Sequence, residues 1–160
     1  MATRHWLFKS EPEVFSFDDL WKAKGRTTSW DGVRNYQARN LLRDEIKKGD
    51  LVLYYHSNAD PQVVVGVCEV VKEGHPDLTQ FDPKSDHYDP DAEEGNPRWY
   101  VVDIKARDRL ERPVSLPELK VAKGLDGLML TKKGSRLSVQ PVSPEHFARI
   151  LEIAQEKPKK

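Results

Sequence analysis

Aromatic side chains lie at several predicted turns and strand ends, where they could hold a planar ligand such as a nucleic-acid base. Trp30 lies in the turn of TSWDGVRNYQARNLL, Tyr36 opens the helix that follows, and Tyr54, Tyr55 and His56 end a predicted strand. A Trp in a turn either closes the edge of a core or offers its face to an unpaired base. We favour the second interpretation, because an Asp-Gly turn is a poor place for a core residue.

Short polar and basic side chains accompany these aromatics. Hydrogen bonds to the edge of a base could come from Ser10, Glu11, Asn35, Ser57, Ser138 and Gln140. Lys9, Arg34 and Arg39 could contact phosphates, although Arg39 and Arg43 are spaced i,i+4 and could equally form a solvated helix face. His56 is explained as well by a structural hydrogen bond as by a ligand contact.

The sequence lacks the common catalytic and metal motifs: it has no glycine-rich phosphate loop, no nucleophile elbow and no HExxH motif. The acidic segment 73–94 contains four conceivable metal ligands, Asp86, His87, Asp89 and Asp91. A solvated loop held by Phe81 and Tyr88 is the favoured interpretation, because the segment is long, acidic and interrupted by prolines. The single Cys68 excludes an internal disulfide and a cysteine-based zinc site. We therefore expect no catalytic residue, no metal and no cofactor.

Length and charge indicate one domain with no overall electrostatic preference. The chain has 160 residues, of which 26 are basic and 26 acidic. Zero net charge does not exclude a nucleic-acid partner, since a local basic face suffices. Basic residues cluster in KKGSR at 132–136 and in the terminal KPKK. The N-terminal segment has no apolar signal core, and no run approaches a membrane span, so we expect a cytoplasmic protein without membrane association.

The hydrophobic pattern predicts an α+β domain. Strands are predicted at 5–10, 50–56, 62–72, 99–110 and 136–142, and helices after the caps Ser16, Asn35, Ser115 and Ser143. The strand at 62–72 is apolar on both faces and should be buried on both sides, and SNADP before it predicts a hairpin. Five or six strands with three or four short helices would fit a small closed barrel, which leaves no exposed edge.

Seven motifs resemble one known family. They are HWLFKSEPEVFSFDDL, WDGVRNYQARNLL, GDLVLYYHSN, VVGVCEVVKEGHPD, PRWYVVDIK, RPVSLPELK and RLSVQPVSPEHF, in this order. Together they cover residues 4–154 and are similar to the EVE-domain family. The resemblance implies a PUA-like fold, a bent β-barrel of five to six strands with flanking short helices, over residues 1–155. Residues 156–160 would form a Lys-rich tail, which we expect to be disordered.

The resemblance also implies a binding pocket. EVE domains are similar to YTH and ASCH domains and are thought to read modified bases between aromatic walls. Here the motifs KSEP at 9–12, WDGVRN at 30–35, YYHS at 54–57 and SVQP at 138–141 would supply the pocket. The predicted ligand-binding residues are Lys9, Ser10, Glu11, Trp30, Asp31, Gly32, Val33, Arg34, Asn35, Tyr36, Arg39, Tyr55, His56, Ser57, Ser138 and Gln140. Trp30 would stack on the base, short polar groups would satisfy its edge, and basic groups would hold the flanking phosphates.

The expected function is that of a non-enzymatic module which reads a modified base in nucleic acid, with modified cytosine in DNA favoured over RNA. Three alternatives stay open. The first is an RNA-binding module of the YTH or PUA type. The second is an enzyme acting on a modified nucleotide, with Glu11, Asp31 or His56 as acid or base, and the third is a small-molecule sensor. A monomer is favoured.

Overall fold

The computed structural model describes residues 3–132 and 137–155. Its strands are β1 His5–Ser10, β2 Thr27–Ser29, β3 Leu51–His56, β4 Val63–Pro76, β5 Tyr100–Ser115 and β6 Val139–Val142. Its α-helices are α1 Pro12–Phe15, α2 Phe17–Lys22, α3 Tyr36–Asn40, α4 Leu116–Val121 and α5 Pro144–Gln155. The predicted α+β class, with six strands and short helices, is confirmed. The basic stretch KKGSR beyond Lys132 and the tail 156–160 lie outside the described residues.

All six strands of the described residues form one mixed sheet in the order β2-β5-β4-β3-β1-β6. The sheet is not closed into a barrel, so the expectation of closure was wrong: β2 pairs only with β5, and β6 pairs only with β1. The hairpin between β3 and β4 forms as predicted. β1 and β3 are parallel, which requires a crossover between them. That crossover contains α1, α2, β2 and α3, and it therefore brings the segment around Trp30 back to the sheet.

Successive side chains of the central strands enter different cores on the two faces of the sheet. Tyr54 and Cys68 belong to the core beneath α2 and α3, whereas Tyr55 and Val67 belong to the core beneath α4 and α5. The prediction that the strand at 62–72 is buried on both sides is therefore confirmed. The same alternation separates Tyr54 from Tyr55, and this decides which of them can approach a ligand.

Local signals begin the helices as the sequence predicts. Ser16 and Asp19 form a reciprocal capping box at α2, and the Asn35 side chain accepts a hydrogen bond from the backbone N–H of Ala38 at α3. Ser115 and Glu118 form a second capping box at α4. Two elements were not predicted, namely the single turn α1 after Glu11 and the three-residue strand β2. In the described part of the chain, no helix has the length and apolar character needed to cross a bilayer.

Candidate functional site

A cavity of about 620 Å³ opens where the end of β1 meets the segment that follows β2. Its wall combines β1, α1, the end of β2, the loop 30–35, and single residues from two distant loops. The lining residues are Lys9, Ser10, Glu11, Val14, Phe15, Thr28, Ser29, Trp30, Asp31, Gly32, Val33, Arg34, Asn35, His87 and Ser138. The motifs KSEP, WDGVRN and SVQP thus contribute residues to one cavity, whereas the fourth predicted motif, YYHS, contributes none.

Trp30 belongs both to the cavity wall and to the core. Its residue is 8% exposed, and its ring packs at 5.2 Å from Phe8 and edge-on at 5.4 Å from Tyr54. Its backbone N–H donates to the carbonyl of Val102 over 2.9 Å, which continues the pairing of β2 with β5. The two sequence interpretations of this Trp are therefore not exclusive, because most of the ring is buried while the remainder borders the cavity.

Asp77 holds the loop 30–35 in place from beneath. Its carboxylate, 1% exposed, accepts from the backbone N–H of Gly32 at 2.9 Å and from the Arg34 guanidinium at 3.0 Å. Burial alone would raise the pKa of Asp77, but hydrogen bonds from Thr79, Gly32 and Arg34 outweigh it and hold that pKa below its usual value. The loop is therefore fixed by a charge-assisted network before any ligand arrives.

The acidic segment also reaches the site, although the sequence suggested no role for it. The carbonyl of His87 accepts a hydrogen bond from Arg34. Gly32 has φ +78°, and a Cβ added there would lie 2.7 Å from the imidazole of His87. Glycine is favoured at this position, because the backbone is left-handed and any side chain would have to displace the imidazole ring. No group of three metal-ligating side chains exists in 3–132 or 137–155.

Two ionisable side chains of the cavity have shifted pKa values. Loss of solvent, followed by the nearby charge of Asp77, raises the pKa of Asp31. Burial lowers the pKa of Lys9, whose ammonium group has no hydrogen-bond or ion-pair partner in the described chain. Its backbone N–H donates to the carbonyl of Ser138 over 2.8 Å, which attaches the SVQP motif to β1. The cavity therefore offers a desolvated carboxyl group at Asp31 and, at Lys9, a cation without a partner among the described residues.

The arginines predicted to hold phosphates are used within the protein. Arg34 lines the cavity, but its guanidinium is bound to Asp77, Thr79 and His87. Arg39 donates to the carbonyl of Arg98 at 2.8 Å and to the neighbouring Asn40 side chain, and it does not line the cavity.

Tyr36 also lies outside the cavity, stacked on Trp99 with centroids 5.0 Å apart, and is 54% exposed. Asn35 reaches the rim, but its side-chain oxygen is occupied by the α3 cap. Both residues therefore support the helix that follows the loop.

Four further predicted site residues, besides Arg39 and Tyr36, do not line the cavity. Tyr55 is buried in the core on the opposite face of the sheet, and its hydroxyl donates to Gln62. Nε2 of His56 accepts the backbone N–H of Phe17, and burial lowers the pKa of this imidazole. Ser57 pairs through its backbone with Ser10. Gln140 is buried, and its amide donates to the carbonyl of Leu137.

Sequence reasoning missed five lining residues, Val14, Phe15, Thr28, Ser29 and His87. Val14 and Phe15 lie on α1, and Thr28 and Ser29 on β2, the two elements that were not predicted. The only sequence signal for Val14 is an apolar residue two positions after the KSEP motif; its 74% exposure beside the cavity is visible only in the structure. His87 could not be found locally, since its contact with Gly32 spans more than fifty residues.

Comparison with known proteins identifies the class to which this fold and cavity belong. The model of the EVE domain matches residues 4–153. The chain therefore belongs to the EVE-domain family, as its motifs predicted.

The relatives are similar over almost the whole chain. Thymocyte nuclear protein 1 of Gallus gallus is 42% identical over 171 residues, covering 96% of this chain and 70% of that protein. The structure of human thymocyte nuclear protein 1 in complex with 5-methylcytosine-containing DNA superposes with a TM-score of 0.91 at 40% identity, covering 98% of this chain and 100% of that chain. A crystal structure from Pseudomonas syringae gives a TM-score of 0.88 at 42% identity, covering 94% of this chain and 99% of that one.

Proposed function

We propose that this protein binds DNA at a modified cytosine, and that the modified base leaves the duplex to occupy the cavity of about 620 Å³. The observation that carries the proposal is this cavity, bordered by Trp30, in a chain 40% identical to a human protein whose structure contains 5-methylcytosine DNA. The volume lies within the range of about 300–1,000 Å³ that is usual for small-ligand sites. A cavity of this volume has room for a single base.

The aromatic contact offsets part of the cost of moving the base. Unstacking and unpairing a base costs a few kcal/mol, and stacking on an aromatic side chain returns about 1–3 kcal/mol. Trp30 is fixed by Phe8 and Tyr54 and cannot be displaced by the base. Val14 and Phe15 add apolar wall on the α1 side, where a methyl group would be shielded from water.

Asp31 is the acceptor that we assign to the polar edge of cytosine. A carboxylate accepts a hydrogen bond from the N4 amino group of cytosine, whereas thymine has the acceptor oxygen O4 at the same position and cannot donate one. Of the other acceptors considered from the sequence, Asn35 is occupied and His56 does not line the cavity. The hydroxyl of Ser138, which lines the cavity, is a second candidate acceptor. Lys9, whose ammonium has no partner in the described chain, is the cation available to an adjacent phosphate.

The test uses two duplexes that differ by one methyl group on one cytosine, together with the RNA of the same sequence. We expect the methylated duplex to bind tighter by about 10-fold or more, the usual value of one buried carbon in a fitted pocket. Fluorescence anisotropy at fixed salt measures the three affinities. Equal affinity for both duplexes would contradict base reading, and tighter binding of the RNA would favour the RNA-module alternative.

Asp31→Ala tests the assigned acceptor, because an Asn side chain would keep an acceptor oxygen. The substitution should weaken binding of the methylated duplex by about 10- to 100-fold, as loss of one good base-edge contact does. Asp126→Ala removes the same charge from an exposed turn outside the cavity and is the matched control. Equal effects of the two substitutions would show that Asp31 acts only through its charge and not through the base.

A further inference from the structure

A second groove, of about 650 Å³, lies at the other end of β2 from the cavity. Trp21, Gly25 and Arg26 line one part of it, and Glu69, Lys105 and Arg107 line another. The groove exists because β2 begins only at Thr27, which pairs with Lys105. From Ala106 onward, the edge of β5 that faces β2 has no paired strand. Its lining therefore comes from β5, from Glu69 on β4, from Trp21 on α2 and from the turn that precedes β2.

The charges of this groove are predominantly positive. Arg107 lies 3.7 Å from Glu69, and both side chains are substantially exposed, so this ion pair is weak. Within 3–132 and 137–155, Arg26 and Lys105 form no ion pair with a carboxylate. Arg34 in the cavity and Arg39 outside it differ from these two residues, because both are bound to protein groups.

Arg26 is held ready for a ligand by its backbone and by Trp21. Its guanidinium carbon lies 3.7 Å from the centroid of the Trp21 ring. Its φ of +54°, next to Gly25 at +66°, is a left-handed conformation that a non-glycine residue rarely adopts. A guanidinium stacked on an indole keeps its N–H donors at the edge, where they can bind phosphate oxygens in a fixed geometry.

We propose that this groove binds backbone phosphates of the same DNA whose modified base occupies the cavity, an inference that rests on the proposed function. Trp30 follows Arg26 by four residues. Extended chain of this length spans about 13 Å, which corresponds to about four nucleotides of rise along one strand of duplex DNA. One DNA molecule therefore reaches both sites, and the groove supplies the phosphate contacts that Arg34 and Arg39 do not make.

The double variant Arg26→Gln with Lys105→Gln tests this assignment. Anisotropy titrations of the methylated duplex and its unmethylated twin are run between 0.05 and 0.3 M salt, for the wild type, for this variant, and for a control with Lys120→Gln and Lys123→Gln. The control removes the same charge from exposed positions on and just after α4. Circular dichroism verifies that each variant is folded.

Each lost phosphate contact should weaken binding about 5-fold at 0.15 M salt, so the double variant should lose about 30-fold, and its log–log salt slope should fall by about 1.8. Both duplexes should weaken by the same factor, which leaves the methyl preference unchanged. The control should keep the wild-type slope. The single variant Arg26→Lys should retain most of the salt slope because the positive charge remains.

The outcomes separate the groove from the base site. A double variant with wild-type affinity and salt slope would overturn the assignment of the groove to phosphates while leaving the proposed function intact. A double variant that loses only the preference for the methylated duplex would also overturn that assignment. If the wild type shows no methyl preference but the double variant still loses affinity for both duplexes, the groove stands and base reading falls. If the wild type binds neither duplex at the lowest salt, both proposals fall.

Discussion

Trp30→Ala should destabilise the fold and weaken base binding at the same time, because Trp30 is both core and wall. The ring is more than nine-tenths buried and makes two aromatic contacts, with Phe8 and with Tyr54. Truncation of a buried Trp to Ala lowers the free energy of unfolding by about 3–5 kcal/mol. Loss of the exposed part of the ring should weaken binding of the methylated duplex by a further 1–3 kcal/mol, about 5- to 150-fold.

Trp30→Phe separates these two effects. The smaller ring refills part of the core, so we expect a stability loss well below that of Trp30→Ala and a partial recovery of binding. Trp6→Phe is the matched control, because Trp6 belongs to the same core and does not line the cavity. It should lose stability through its buried hydrogen bond to Asp50, yet bind the duplex like the wild type when folded.

Two measurements decide the result. Urea unfolding gives the free energy of each variant, and anisotropy at low temperature, where each variant is verified as folded, gives the affinity. A Trp30→Phe variant that binds like the wild type when folded would refute the role of Trp30 as a stacking wall of the cavity. A Trp30→Ala variant with the wild-type unfolding curve would refute the core contact.

Three further predictions concern the supports of the site. Gly32→Ala should lower the free energy of unfolding by at least about 1 kcal/mol, because the left-handed backbone is strained for alanine and the new Cβ meets His87; thermal melts and DNA affinity both measure it. Asp77→Ala should lower the free energy of unfolding by about 3 kcal/mol, the lower end for a broken buried ion pair, because the Arg34 side chain is 25% exposed. The same substitution should increase hydrogen exchange in the loop 30–35. Because of His56, the free energy of unfolding should fall as the pH falls below 6.5, the pKa of a histidine in the unfolded chain. Burial lowers the pKa of His56 in the folded state, and its Nε2 accepts the Phe17 N–H only when it is unprotonated.

Each of these predictions has a contrary result. Gly32→Ala with the wild-type melting curve and DNA affinity would mean that the His87 ring moves aside without cost. Unchanged exchange in the loop 30–35 of Asp77→Ala would mean that the network does not hold it. The loss of stability between pH 7.5 and pH 5 should be larger in the wild type than in His56→Gln, and equal losses would show that other groups cause the pH dependence.

Local features of the fold could be predicted from the sequence because they depend on neighbouring residues. The cap at Asn35 and the capping boxes at Ser16 and Ser115 use hydrogen bonds across three residues, and all of them form. The apolar residues on both faces of the strand at 62–72 predicted its burial on both sides. The short elements α1 and β2 escaped prediction, since four and three residues carry too little periodicity to identify them.

The composition of the site followed partly from the motifs and partly from contacts that no local pattern encodes. KSEP, WDGVRN and SVQP contain many of the residues that line the cavity, and the family to which they point is the family of the chain. The sequence also indicates that Tyr54 and Tyr55 point to opposite faces, since side chains alternate along a strand. It does not indicate which face carries the cavity, because that depends on where the crossover between β1 and β3 packs.

The partners of the charged residues were decided by tertiary structure alone. Arg34 and Arg39 resemble free phosphate ligands in the sequence, yet Asp77 lies 43 residues from Arg34 and the carbonyl of Arg98 lies 59 residues from Arg39. Arg26 and Lys105, which no motif singled out, have no carboxylate partner among the described residues and line the groove with Trp21. The sequence determined which residues could cap, pair and stack, because those properties belong to single side chains and their neighbours. The fold decided which of them have groups left for a ligand, because that depends on distant segments that only the packed sheet brings together.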